Sequence, residues 1–213
     1  MIFVRFTFVL AVALLPVGLL PNDSEGERYR ADKGSRLWIE GTSTLNNFTC
    51  LTFKVDGFTQ SPSVAMVGNE NRIFGRVMIL VRTLDCGNGL MNRDMYAAMK
   101  ESQHPLITFE LERAEVLDKP SNISLWMDVR VSGKLTIAGV QREIELIVKA
   151  KALRDGRYRI LGRLPLSMHD FGIEPPSAFF GIIKADDKLV VHFDLFGVRS
   201  QDQADLSEQA VRQ

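Results

Sequence analysis

The sequence predicts an all-β fold: an extended antiparallel sheet of roughly eight strands that closes into a barrel, with one short helix. Three observations predict it. Between Ser35 and Val198, apolar and polar residues alternate with period two in one segment after another. Turn-forming residues separate these segments at hairpin spacing. Helical spacing interrupts the alternation in one interval only.

Taken in chain order, residues 1–24 read as an export signal. Arg5 precedes an apolar run from Phe6 to Leu20, after which polarity rises at Pro21-Asn22-Asp23-Ser24. As a helix that run reaches roughly 22 Å, short of a ~30 Å hydrocarbon core, although an uncleaved anchor stays open as the alternative. The barrel domain is placed at residues 25–198. Leu37 and Ile39 alternate with Arg36, Trp38 and Glu40, and Val77 and Ile79 alternate with Arg76, Met78 and Leu80. Ile107, Phe109 and Leu111 form the next apolar set. Ile123, Leu125, Met127, Val129 and Val131 oppose Ser124, Trp126, Asp128 and Arg130, and the alternation extends through Gly133 to Leu135 and Ile137. Ile144, Leu146 and Val148 follow, then Leu164 and Leu166, then Leu189, Val191, Phe193 and Leu195. Period two puts each set on one strand face. Turns are expected at Gly68-Asn69-Glu70-Asn71, Asp118-Lys119-Pro120-Ser121-Asn122, Ala138-Gly139, Asp155-Gly156 and Asp186-Asp187. Residues 199–213 read as a polar, flexible tail.

Residues 90–101 carry the helical interval. Met91, Met95, Ala98 and Met99 form its apolar stripe, with Asn92 as the expected N-cap and Pro105 blocking extension. The stripe has two readings: an adaptable lid over a ligand mouth, or a helix that simply covers part of the barrel.

Composition narrows the function classes. Lys+Arg and Asp+Glu are both 26, so no electrostatic footprint for nucleic acid or anionic lipid exists in the net charge. Cys50 and Cys86 are the only cysteines, and an even pair in an exported chain reads as one disulfide, against the alternative of two buried thiols. No CxxC or Cys/His spacing suits zinc, and no cofactor motif is present. Catalytic candidates are thin. Ser167 and His169 share a strand face, a weak pointer to a hydrolase, while His192 is placed on the polar side of the last strand and His104 in a turn. The reading is therefore of a protein that is not an enzyme.

Particular segments resemble the YceI-like family. Residues 35–45 (Ser-Arg-Leu-Trp-Ile-Glu-Gly-Thr-Ser-Thr-Leu) with Phe48-Thr49-Cys50 are similar to its opening. Leu84-Asp85-Cys86-Gly87, Met91-Asn92, Met95-Tyr96 and residues 104–109 are similar to its helix and following strand. Gly133-Lys134-Leu135-Thr136-Ile137-Ala138-Gly139-Val140 resembles its G-x-L-T-x-x-G-V hairpin, and Asp170-Phe171-Gly172-Ile173 its late D-F-G element. The resemblance implies a lipocalin-like barrel around a long apolar tunnel, exported and often periplasmic, that binds polyisoprenoid or related lipid chains. The branch with a cysteine pair usually has His after the Gly-Thr-Ser-Thr-Leu run, where this chain has Asn46-Asn47.

Together these readings make the chain a carrier of a long-chain lipid or polyisoprenoid. The expected ligand-binding residues are Leu37, Ile39, Val77, Ile79, Ile107, Phe109, Leu111, Met127, Val129, Ile144, Leu146, Leu164, Leu166, Val191 and Phe193, if the more apolar parity points inward. A homodimer stays open as the protein partner. The rival is a filled barrel that binds a partner through an external patch, with Trp38, Trp126 and Phe196 as candidates.

Overall fold

The computed structural model describes residues 28–60, 74–117, 122, 124–178 and 182–200. The strands are β1 (Arg28–Ala31), β2 (Arg36–Ser43), β3 (Asn47–Thr52), β4 (Val55–Gln60), β5 (Phe74–Leu80), β6 (Leu106–Val116), β7 (Met127–Ile137), β8 (Val140–Ala152), β9 (Tyr158–Ser167), β10 (Ser177–Ala178) and β11 (Ile183–Arg199). One helix, α1 (Gly89–Ala98), lies between β5 and β6.

Every strand pairing is antiparallel, and the sheet closes. Long β11 makes the closure. Its middle pairs with β2 and its last residues with β1, so β1 and β2 lie end to end along one side of it. β3 pairs with β2 and β4 with β1 in the same end-to-end fashion. The circuit then runs β4, β5, β6, β7, β8, β9 and back to β11. Counting each end-to-end pair once, the wall has eight strand positions.

The alternation seen in the sequence is the inward/outward alternation of this wall. The β7–β8 turn shows how local chemistry fixes register: Ala138 (φ 49°) and Gly139 (φ 81°) are both left-handed, the condition for a two-residue hairpin turn. Gly139 is required twice over, because the His104 ring lies 2.5 Å from where a Cβ would stand. Asp155-Gly156 also turns as expected, with Leu153 and Arg157 bonded across it.

Other expectations need correction. Asp186-Asp187 is not a turn but part of β11, at the register irregularity between Ala185 and Leu189. There the Asp187 carboxylate accepts hydrogen bonds from the Ser167 hydroxyl and the His169 amide, which competes with turn formation. β7 starts at Met127 rather than Ile123, since the Leu125 amide bonds to the Asn122 carbonyl in a turn. Arg199 belongs to β11, in register with Tyr29, rather than to a tail. The expected signal, the turn at 68–71, residues 118–121 and residues 201–213 lie outside the described residues.

The wall departs from a regular barrel in two places. β8 and β9 pair only from Lys149/Leu161 to Ala152/Tyr158, so their other halves diverge. A 3-10 turn, His169–Phe171, packs against both strands, and Phe171 is 2% exposed. Gly172 leaves that turn in the left-handed conformation (φ 63°), which explains the D-F-G sequence: a plug, then a reversal. The second departure is β3. Beyond a single bridge from Leu51 to Asp85, its far edge pairs with no strand among the described residues. Helix α1 stands there instead. The continuous core, including Ile39, Val81, Leu84, Leu135, Ile137 and Phe171, gathers at this end.

Candidate functional site: an apolar tunnel with a helix-walled mouth

A cavity of about 870 Å³ occupies the barrel interior. Two cross-strand pairs keep it open. The Phe48 ring lies over Gly41, and the Phe193 ring over Gly162, where a Cβ would stand 2.3 and 2.1 Å from the ring. The glycines let both rings lie flat on the wall instead of projecting into the lumen. Of the residues expected to line the interior, all but Met127 and Ile144 border this cavity. Met127 opens β7 and does not border the cavity, although its cross-strand partner Ala150 does. Ile144 lies on the half of β8 that has left β9, and faces a side cleft with Leu166 and Phe171.

The helix supplies the part of the lining that strand alternation could not reveal. Leu90, Met91, Asp94, Met95 and Ala98 share one face of α1 and line the cavity, as does Met99 at its C-cap. The methionine stripe is therefore wall, not an external cover. Met168, Phe171, Ile173 and Pro176 complete the lining beside the plug. The D-F-G resemblance pointed to that region, but parity says nothing about a residue outside a strand.

Several bonds fix the helix to the wall. Cys50 on β3 is disulfide-bonded to Cys86, across 36 residues of sequence. The N-cap is Asn88, not Asn92: Asn88 Oδ1 accepts the amides of Leu90 (2.9 Å) and Met91 (3.2 Å). Asn92 instead accepts the Cys86 amide at 2.7 Å and donates to Asp85 at 2.9 Å. That bond and the Gly87 amide hold the Asp85 carboxyl below its ordinary range. At the other end the Tyr96 hydroxyl reaches the Leu84 carbonyl at 2.7 Å, and burial pushes its pKa up. Arg82 and Glu101 pair at 2.6 Å.

The exposed part of the lining marks the mouth. Leu45 and Asn46 at the β2–β3 tip, and Asn88 and Leu90 at the start of α1, are all exposed and border the cavity. Thr44 bonds this tip to the backbone of Ile182 and Lys184 at the start of β11.

The catalytic candidates do not assemble. Ser167 donates to Asp187 at 2.6 Å, and His169 Nδ1 lies 2.8 Å from the same carboxylate. Asp187 thus stands between serine and histidine, whereas nucleophile activation needs the histidine in the middle. The external candidates are also engaged. Trp38 stacks on His192 with centroids 5.0 Å apart, so His192 is mostly covered rather than exposed. Lys151 lies over Trp126, and Arg157 and Arg159 over Phe196.

A closed antiparallel barrel of eight strand positions, hollow and apolar inside, is a barrel of the lipocalin-like kind. The profile of the YceI-like domain matches residues 35–196, and the chain belongs to that family. No curated protein matches the chain. Among solved structures, it is similar to a polyisoprenoid binding domain from Saccharophagus degradans implicated in plant cell wall breakdown (17% identity, TM-score 0.61, 80% of this chain and 98% of that one). It is also similar to BcnA from Burkholderia cenocepacia (16% identity, TM-score 0.56, 78% and 98%). At these identities the likeness is one of fold.

Proposed function

We propose that this protein is an exported, non-catalytic carrier that holds a long-chain lipid, such as a polyisoprenoid, in its barrel. The observation that carries the reading is the apolar cavity of about 870 Å³, which glycine-backed Phe48 and Phe193 leave open. Affinity would come from desolvation of the chain, at ~25 cal/mol per Å² of apolar surface buried. The polyisoprenoid-binding description of the Saccharophagus degradans domain supports the ligand class. Export is supported by the disulfide, which reducing compartments disfavour, and by the apolar leader at residues 1–24. The open interior favours a carrier over a filled, partner-binding barrel.

Native mass spectrometry of protein from an exporting host tests this reading. The expected result is a chain without the leader that carries a co-purifying lipid mass and takes up a fluorescent isoprenoid analogue. Val129→Trp, which fills the lumen from β7, should keep the β-rich far-UV spectrum and lose uptake. A wild-type protein that neither carries lipid nor takes up the analogue overturns the carrier assignment, and one that retains residues 1–24 overturns the cleaved leader.

A further inference from the structure

Resting on the carrier reading, we infer that the mouth docks directly on a lipid bilayer. A collar of exposed apolar side chains enters the bilayer surface, and the ligand passes between lumen and membrane without crossing water. The collar is Leu45, Leu90 and Ile182, which are 72%, 44% and 76% exposed. Leu45 stands at the β2–β3 tip and Leu90 in the first turn of α1. Both also border the cavity, so the apolar lining continues outward onto the surface. Ile182 precedes β11, and its carbonyl accepts the Thr44 hydroxyl at 3.0 Å, which sets it beside the tip. A single exposed aliphatic residue is ordinary on a protein surface, but three around one opening mark a contact surface.

Hydrogen bonds fix the backbone at all three positions and leave the side chains presented. Ser43 Oγ accepts the amides of Leu45 (3.3 Å) and Asn46 (3.1 Å), and the Lys184 carbonyl accepts the Thr44 amide at 3.0 Å. Asn88 holds the Leu90 amide in the same way, through the helix cap. Charge at this end suits an anionic bilayer face. Arg93 on α1 and Lys184 on β11 are exposed, whereas Asp186 accepts the Thr42 hydroxyl and Asp94 borders the cavity. Docking also removes an energetic obstacle. Apolar surface that leaves the lumen for water forfeits the ~25 cal/mol per Å² that held it, and a collar set in the acyl region spares the ligand that step. Leu125 is exposed too, but it precedes β7 at the other end of the wall, level with Leu195 of β11 rather than Ala185, and does not line the cavity.

The test loads the exported protein with a fluorescent isoprenoid analogue and mixes it with vesicles of phosphatidylethanolamine and phosphatidylglycerol that carry a quencher. Docking makes the transfer rate rise in proportion to vesicle concentration. A rate independent of vesicle concentration means release through water and overturns the inference. Ile182→Glu, which lies outside the cavity lining, should slow transfer at least about tenfold, the factor that burying one such side chain is worth, with analogue binding in the absence of vesicles unchanged. Leu125→Glu, at the far end, should transfer like wild type. Full-rate transfer by Ile182→Glu, or an equal loss in Leu125→Glu, overturns the collar and leaves the carrier reading standing. Protein that takes up no analogue even without vesicles overturns the carrier reading instead.

Discussion

At the scale of single residues, the outer wall is fixed by one buried carboxylate. Asp194 is 3% exposed and accepts two bonds of 2.8 Å from Arg159, with Arg36 at 3.4 Å. The Arg159 bonds outweigh burial and hold its pKa below the ordinary range. Because the folded value is depressed, its stabilisation is complete above the unfolded value of about 3.9 and disappears as the pH falls through the folded value. Asp194→Ala leaves Arg159 without its partner and should cost about 3 kcal/mol in urea unfolding at pH 7. Asp194→Asn should flatten the acid limb, so that its urea midpoint falls less than wild type below pH about 4. An equally steep acid limb in the variant would remove Asp194 as the titrating group. Alternation with Phe193 and Leu195 puts Asp194 on the outward face of β11, but its burial is not legible in the sequence. Arg36 and Arg159 come from β2 and β9, distant in sequence, and meet only because β11 pairs with both.

At the scale of elements, α1 and its straps decide the mouth. The sequence showed the helix and its methionine stripe but misplaced the cap, since Asn88 and Asn92 suit that position equally on composition. The local chain separates them: Asn88 is extended (φ −144°, ψ 121°) and Gly89 opens the helix, while Asn92 lies one turn inside. Asn88→Ala should therefore cost about 1 kcal/mol, measured by thermal unfolding, and Asn92→Ala should act through Asp85 and Cys86 instead. The disulfide is the stronger strap. Closing a loop of 36 residues constrains the unfolded chain by about 4 kcal/mol in the loop-entropy model. Cys50→Ser/Cys86→Ser should melt several degrees lower, with the largest gain in hydrogen exchange over α1 and β3. Thiol titration of the denatured, unreduced protein checks the bond itself, and two free thiols per chain would remove it.

At the scale of the whole molecule, alternation placed most of its expected residues beside the cavity, but it missed the lining from β3 and β4, such as Phe48, Cys50 and Thr59, and the way the wall closes. Closure depends on β11 meeting both β1 and β2, a pairing of chain ends that no local pattern encodes. The plugged seam between β8 and β9 was hidden for the same reason, because Ile144 and Leu166 keep their alternation after the strands part. What the closed wall encloses can be tested without naming the ligand. A molecule that binds only the folded barrel stabilises it by about 2.7 kcal/mol at a hundred times its Kd. For a domain of this size that is a rise of about 5–11 °C in Tm. Gly162→Ala is the matched control, since its new Cβ would stand 2.1 Å from the Phe193 ring and push that ring off the wall into the lumen. Its far-UV spectrum should match wild type, while the lipid-induced rise in Tm should shrink or vanish. A full shift in the folded variant would show that the ligand does not occupy the lumen beside Phe193, and the binding site would have to be sought outside the barrel.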